Sequence, residues 1–212
     1  MIKAVLFDFD GTLIDTNELI FKSYRKAFKE VLNQDIDDEE ILKLYGRPLY
    51  GSLMEYGEPG EMLYKVYREF NETQHDNLAK PFDGVYEGIK EISDKGYKMG
   101  IVTSKRMHLV KRGLDLIGIA DLFDVIITPD DTQKGKPDPE PILLGCEKLD
   151  VLPEETIYVG DSVFDMQAAK SAGTQLCAVK YTLTNHQNIL EFKPEFFVDS
   201  IAELAKELRG TV

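Results

Sequence analysis

The chain has 212 residues, 43% hydrophobic and 30% charged, which is enough apolar material for a sizeable core and too much for a disordered or fibrous protein. With 38 Asp and Glu against 25 Lys and Arg, the formal net charge is -13, which argues against a nucleic-acid partner held on a broad basic face. Two cysteines, Cys146 and Cys177, cannot make a disulfide framework, and no run of about 18 apolar residues offers a membrane span or signal peptide, so the expected location is the cytoplasm.

The first expected strand, Ile2 to Phe7, stops at two acids, Asp8 and Asp10, and turns on Gly11. From there to about residue 80 the pattern is helical: Glu18 to Leu32, Asp37 to Leu44, a short piece from Leu49 to Glu55, and Glu61 to Leu78, where Leu63, Val66, Tyr67 and Phe70 share a face. This stretch is too long for a crossover and too ordered for a loop. Residues 16–80 are therefore expected to form an inserted helical domain, with residues 1–15 and 81–212 forming the main one.

After the insertion, strands and helices alternate. Expected strands run from Lys98 to Val102, Val125 to Thr128, Thr156 to Val159 and Gln175 to Val179, each short, apolar and rich in Val and Ile. Expected helices run from Val85 to Lys95, His108 to Ile117, Pro139 to Leu149 and Val163 to Ala172, and Gly96, Gly118 and Gly173 stand where left-handed caps belong. The alternation predicts an α/β fold, a doubly wound, Rossmann-like parallel sheet with right-handed crossovers.

In such a sheet, ligands bind beyond the carboxyl ends of the strands. Asp8 and Asp10 stand at one such end, Thr103 and Ser104 at another, and Asp161 at a third, with Asp165 one helical turn further on. Lys136 lies in the loop after the third strand. Carboxylate oxygens suit Mg2+, and Asp8 and Asp161 could hold it. A carboxylate is also a competent nucleophile towards phosphorus, and Thr103 and Lys136 could balance phosphoryl charge. Asp10, two residues from Asp8, could serve as general acid and then base. An Asp-Gly pair is also a common turn former, and Asp165 also suits the first turn of a helix. An EF-hand loop would place its Gly two positions later and a helix before it, so that reading fails.

DFDGT at 8–12, the strand ending in Thr103, Lys136 before Pro137, and GDSVFD at 160–165 together resemble the four motifs of the haloacid dehalogenase-like hydrolase superfamily, in order and over nearly the whole chain. The resemblance implies a catalytic core with a helical cap, Asp8 as nucleophile, Asp10 as acid/base with its carbonyl on Mg2+, Thr103 and Lys136 on the phosphate, Asp161 on the metal, and Asp165 as an outer acid. An acid at position 10 is the phosphatase or phosphomutase pattern within the superfamily. A signalling receiver domain would instead carry its phosphorylated Asp at the third strand's end, where Thr128-Pro129-Asp130-Asp131 stands.

DFDGTLIDTNELI, YREFNETQHDNL and GVYEGIKEI further resemble the HAD-type inorganic pyrophosphatases, with phosphoglycolate phosphatases as near relatives. The expected substrate is pyrophosphate. The alternatives are phosphoglycolate or another small phosphomonoester, then a phosphomutase reaction of the β-phosphoglucomutase kind, or a non-catalytic phosphate-binding module. Arg47, Lys105, Arg68 and His75 are candidate leaving-group contacts, although Arg47 also reads as a solvated loop residue and His75 as a surface or core one. Asp15 or Thr16 is the expected cap of the first inserted helix.

Overall fold

The computed structural model describes residues 1–210. The chain divides into two compact units, Met1–Asp15 with Pro81–Val212, and Thr16–Lys80.

The first unit is built on β1 (Ala4–Phe7), β4 (Lys98–Val102), β5 (Val125–Ile127), β6 (Thr156–Gly160), β7 (Gln175–Val179) and β8 (Phe196–Val198), after β2 (Ile14–Asp15) and β3 (Lys80–Pro81) are set aside. The six form one sheet in the order β5-β4-β1-β6-β7-β8, and every neighbouring pair is parallel. β1 and β6 are buried along their whole length, as befits strands covered on both faces. Phe7 pairs with Ile101 on one side and Val159 on the other, so the residues that follow β1, β4 and β6 emerge together at one edge.

Among the described residues, the α-helices of this unit are α5 (Val85–Asp94), α6 (Met107–Ile117), α7 (Glu140–Lys148), α8 (Val163–Ala172), α9 (His186–Leu190) and α10 (Ile201–Glu207). Helices α7 and α8 pack on the sheet around Leu6, Val102, Ile142, Tyr158 and Met166. Helices α5 and α10 pack on each other so closely that a Cβ on Gly88 would lie 2.5 Å from the backbone of Ile201 and Ala202. Gly118 and Gly173 end α6 and α8 in the left-handed conformation, as expected.

The second unit contains α1 (Asn17–Leu32), α2 (Asp38–Leu44), α3 (Leu49–Met54) and α4 (Gly60–Leu78). Helices α1 and α4 are its main contact, and its core joins Tyr24, Phe28, Ile41, Leu53, Leu63 and Tyr67. Tyr24 and Tyr67 meet edge-on with centroids 4.7 Å apart. Asp37 caps α2 by accepting a hydrogen bond from the Glu40 amide at 2.9 Å. Thr16 occupies the cap position of α1, but its side chain makes no capping bond.

Three features depart from the sequence reading. The strands β2 and β3 form a separate two-stranded sheet, invisible to periodicity because two residues carry no alternation. A sixth strand, β8, extends the sheet beyond β7, and α9 and α10 accompany it. On α4 the buried positions are Gly60, Leu63, Tyr67 and His75, while Val66 and Phe70 lie half-buried at the margin.

Candidate active site

Parallel pairing carries the first acid to its place. The Asp8 amide continues the ladder by donating to the Val159 carbonyl at 2.8 Å, and the Thr103 amide does the same to Ile127 at 3.0 Å. The chain then turns at Gly11, whose φ is +77° and whose absent Cβ would lie 2.5 Å from Asp161 Oδ2. Only glycine suits this position, because the backbone is left-handed and the next strand end brings a carboxylate against it.

Asp8, Asp161 and Asp165 come together here, each offering a carboxylate oxygen within 4.8 Å of the others. Lys136 reaches the same point from the loop after β5. Its Nζ lies 3.0 Å from Asp8 Oδ1, 2.6 Å from Asp165 Oδ1 and 3.0 Å from the Tyr158 hydroxyl. Asp161 and Asp165 are 3% and 1% exposed, and the Asp8 side chain is 13% exposed, so these charges sit almost without water.

Burial pushes the Asp8 carboxyl up to about 6, with Lys136 opposing and Asp165 adding repulsion. Burial raises Asp161 well above the usual carboxylate range, and repulsion from Asp165 and Asp8 adds to it. For Lys136, burial disfavours the charge, yet Asp165 and Asp8 outweigh it and hold the amine well above its ordinary value. Lys136 thus pairs directly with two of the three carboxylates, Asp8 and Asp165.

The donor set fits a hard divalent cation. The oxygens are carboxylate, and they converge within 4.8 Å of one another in a buried site. Asp165 is the least available of the three. Its Oδ1 faces Lys136 and Tyr158, and its Oδ2 accepts from the Ser162 amide at 3.0 Å and hydroxyl at 2.5 Å. The Asp165 amide in turn donates to the Ser162 hydroxyl oxygen at 3.2 Å, completing a capping box that starts α8 at the site.

Asp10 stands beside this cluster, its two oxygens 2.7 and 3.1 Å from Lys105 Nζ. Thr103 is buried, and its hydroxyl accepts from the Lys105 amide at 3.2 Å, which folds the turn after β4 back on itself. Ser104 is exposed in that turn. The remaining candidates belong to the helical unit. Arg47 pairs with Glu55, Arg68 pairs with Glu72 at 2.9 Å and lies over the Tyr64 ring, and His75 is fully buried with Nδ1 2.8 Å from Asp76 Oδ1.

Two residues here escaped the sequence reading. Tyr158 projects its hydroxyl from the middle of β6 into the cluster, and Thr182, after β7, donates to Asp161 at its carbonyl (2.7 Å) and Oδ2 (3.2 Å). Thr182 could have been found by extending the strand-end search one strand further. Tyr158 carried a signal too, as a phenol in a strand otherwise reading as fully apolar must find a buried partner.

Residues 5–179 match the family described as haloacid dehalogenase-like hydrolase. The chain belongs to the haloacid dehalogenase-like hydrolases. PpaX of Clostridium perfringens is 46% identical over 205 residues, covering 96% of each chain. The pyrophosphatase PpaX of Bacillus velezensis is 38% identical over 204 residues, covering 96% of this chain and 94% of that one. Among solved structures, CbbY of Rhodobacter sphaeroides in complex with phosphate superimposes with a TM-score of 0.82 at 25% identity, covering 98% of this chain and all of that one. β-Phosphoglucomutase of Clostridium difficile gives 0.80 at 25% identity, over 96% of this chain and 93% of that one. This haloacid dehalogenase-like hydrolase is thus an enzyme acting on phosphoryl groups, and family members generally use a divalent metal. No helix among the described residues is long and apolar enough to cross a membrane.

Proposed function

We propose that the enzyme is a cytoplasmic, Mg2+-dependent phosphohydrolase working through an aspartyl phosphate on Asp8, with inorganic pyrophosphate as substrate. The observation that carries the mechanism is the convergence of Asp8, Asp161 and Asp165 at the carboxyl ends of β1 and β6, with the buried Lys136 paired to Asp8 and Asp165. The substrate choice rests on the likeness to relatives named pyrophosphatase over nearly the whole chain. Residues 1–15 and 81–212 are read as the catalytic domain and residues 16–80 as the cap. Arg47 would reach a substrate only by exchanging its partner Glu55.

In this reading the Asp8 carboxylate attacks phosphorus, forming a new P–O bond while the bond to the leaving phosphate breaks and its electrons depart with that group. Asp10 supplies the leaving oxygen with a proton where one is needed. It then takes a proton from water, which attacks the phosphoryl group, frees Asp8 and releases the second phosphate. Lys136, 3.0 Å from Asp8, balances charge on the transferring oxygens, and Thr103 offers its hydroxyl to them. Asp8, Asp161 and the Asp10 carbonyl would hold Mg2+, with Asp165 orienting its neighbours. When bound, the cation withdraws charge from the phosphoryl oxygens and from Asp8.

The test is phosphate release with and without Mg2+. Asp8→Asn, close in shape to the native side chain, is expected to lose on the order of 10,000-fold in kcat. Undiminished turnover by that variant would overturn the mechanism. Pyrophosphate is expected to give a higher kcat/KM than phosphoglycolate or hexose phosphates, and a reversed ranking replaces pyrophosphate with a monoester. Turnover that needs a bisphosphate activator and relocates phosphate would make the enzyme a mutase, and Mg2+-dependent binding without turnover would make it a binding module.

A further inference from the structure

Tyr158 touches the charge cluster and has no part in the steps above. Tyr158 is completely buried, and its hydroxyl lies 3.0 Å from Lys136 Nζ, 3.0 Å from the Val102 carbonyl and 3.2 Å from Asp165 Oδ1. An ammonium has three N–H donors and no acceptor. Lys136 meets three acceptors at bonding distance, Asp8 Oδ1, Asp165 Oδ1 and the Tyr158 oxygen, so every donor is spent. A phenol has one proton to give. Carbonyl and carboxylate can only accept, so the Tyr158 proton goes to Val102 or Asp165, while its oxygen receives the lysine. Burial raises the phenol well above its ordinary value, which keeps that proton in place.

We propose that Tyr158 is a positioning residue for the phosphoryl-transfer step, the third leg of a tripod that aims the Lys136 ammonium at Asp8. This rests on the reading of Asp8 and Lys136 given above. The ammonium can turn about its Cε–Nζ bond and shift with the end of its side chain, and each further acceptor restrains both motions. Asp165 and Tyr158 supply the legs that point away from the chemistry, leaving the N–H towards Asp8 as the one that meets the phosphoryl oxygens. The same hydroxyl bonds the carbonyl of Val102, the residue before Thr103, so it also ties the second phosphate-facing strand end to the lysine.

Tyr158→Phe removes a single oxygen and keeps the ring. The expected result is a kcat lower by roughly 10-fold to 100-fold with KM for pyrophosphate within about twofold, because aim matters most in the transition state. Gly88→Ala, at the packed pair α5 and α10 and touching none of these groups, serves as the control for lost stability. It is expected to lower the unfolding midpoint and leave kcat unchanged. In lysine-15N-labelled protein, the Lys136 ammonium signal, assigned by its loss in Lys136→Ala, should be sharp in the native enzyme and broadened or shifted in Tyr158→Phe.

A kcat within twofold of native together with an unaltered ammonium signal would overturn the proposal, as would a loss no greater than that of Gly88→Ala at equal destabilisation. If Asp8→Asn keeps full turnover, the catalytic reading fails. The ammonium signal then still reports the tripod itself, so the two failures are distinguishable.

Discussion

At the scale of single residues, Asp8 combines two demands that pull against each other. In the proposed mechanism it must be ionised to attack phosphorus, yet burial lifts it from the ordinary 3.8 to about 6. For an acid, a raised folded-state value means that the native state holds its proton more tightly than the unfolded chain. Native stability therefore falls as pH rises through the window from 3.8 to about 6, and the ionised carboxylate is a net cost above it. In metal-free protein, Asp8→Asn is thus expected to melt above the native enzyme at about pH 7, with the difference vanishing towards about pH 4. Thermal melts across that range in the presence of a chelator check it, and Mg2+ should narrow the gap by stabilising the native carboxylate cluster.

At the scale of elements, the packing of α5 on α10 allows a sharp expectation. A methyl at Gly88 meets main-chain atoms of Ile201 and Ala202, which cannot swing aside as a side chain would. Gly88→Ala should cost about 1–3 kcal/mol, read as a lower denaturation midpoint. The elements also differ in how legible they were. β1, β4, β6 and β7 stood out because strands buried on both faces are mostly apolar. β8 did not, since it is three residues at the sheet margin, with Phe196 and Phe197 half-buried between Glu195 and Asp199. The site divides in the same way. Asp8, Asp10, Lys136, Asp161 and Asp165 lie in or beside short strings and could be read locally. The Tyr158 link to Lys136 spans 22 residues and depends on which strands become neighbours, which no local string encodes.

At the scale of the whole molecule, a net charge of -13 opposes the approach of any polyanion, and Lys136 and Lys105 act only at close range because each already faces a carboxylate. Screening should weaken the long-range repulsion more than the contacts inside the site. The expected outcome is a kcat/KM for pyrophosphate that rises when KCl is raised from about 20 to about 150 mM at constant free Mg2+, measured by initial rates. A fall over that interval would mean that local cations dominate the encounter.

Sheet order also has a consequence in time. Asp8 follows β1, whose two sheet neighbours, residues 98–102 and 156–160, come much later in the chain. Until both have been translated, the central strand has no ladder to join and the first acid has no companions. Long-range pairing of this kind is slow to close. On the proposed mechanism, the growing polypeptide should therefore stay chemically silent until Asp165 has emerged.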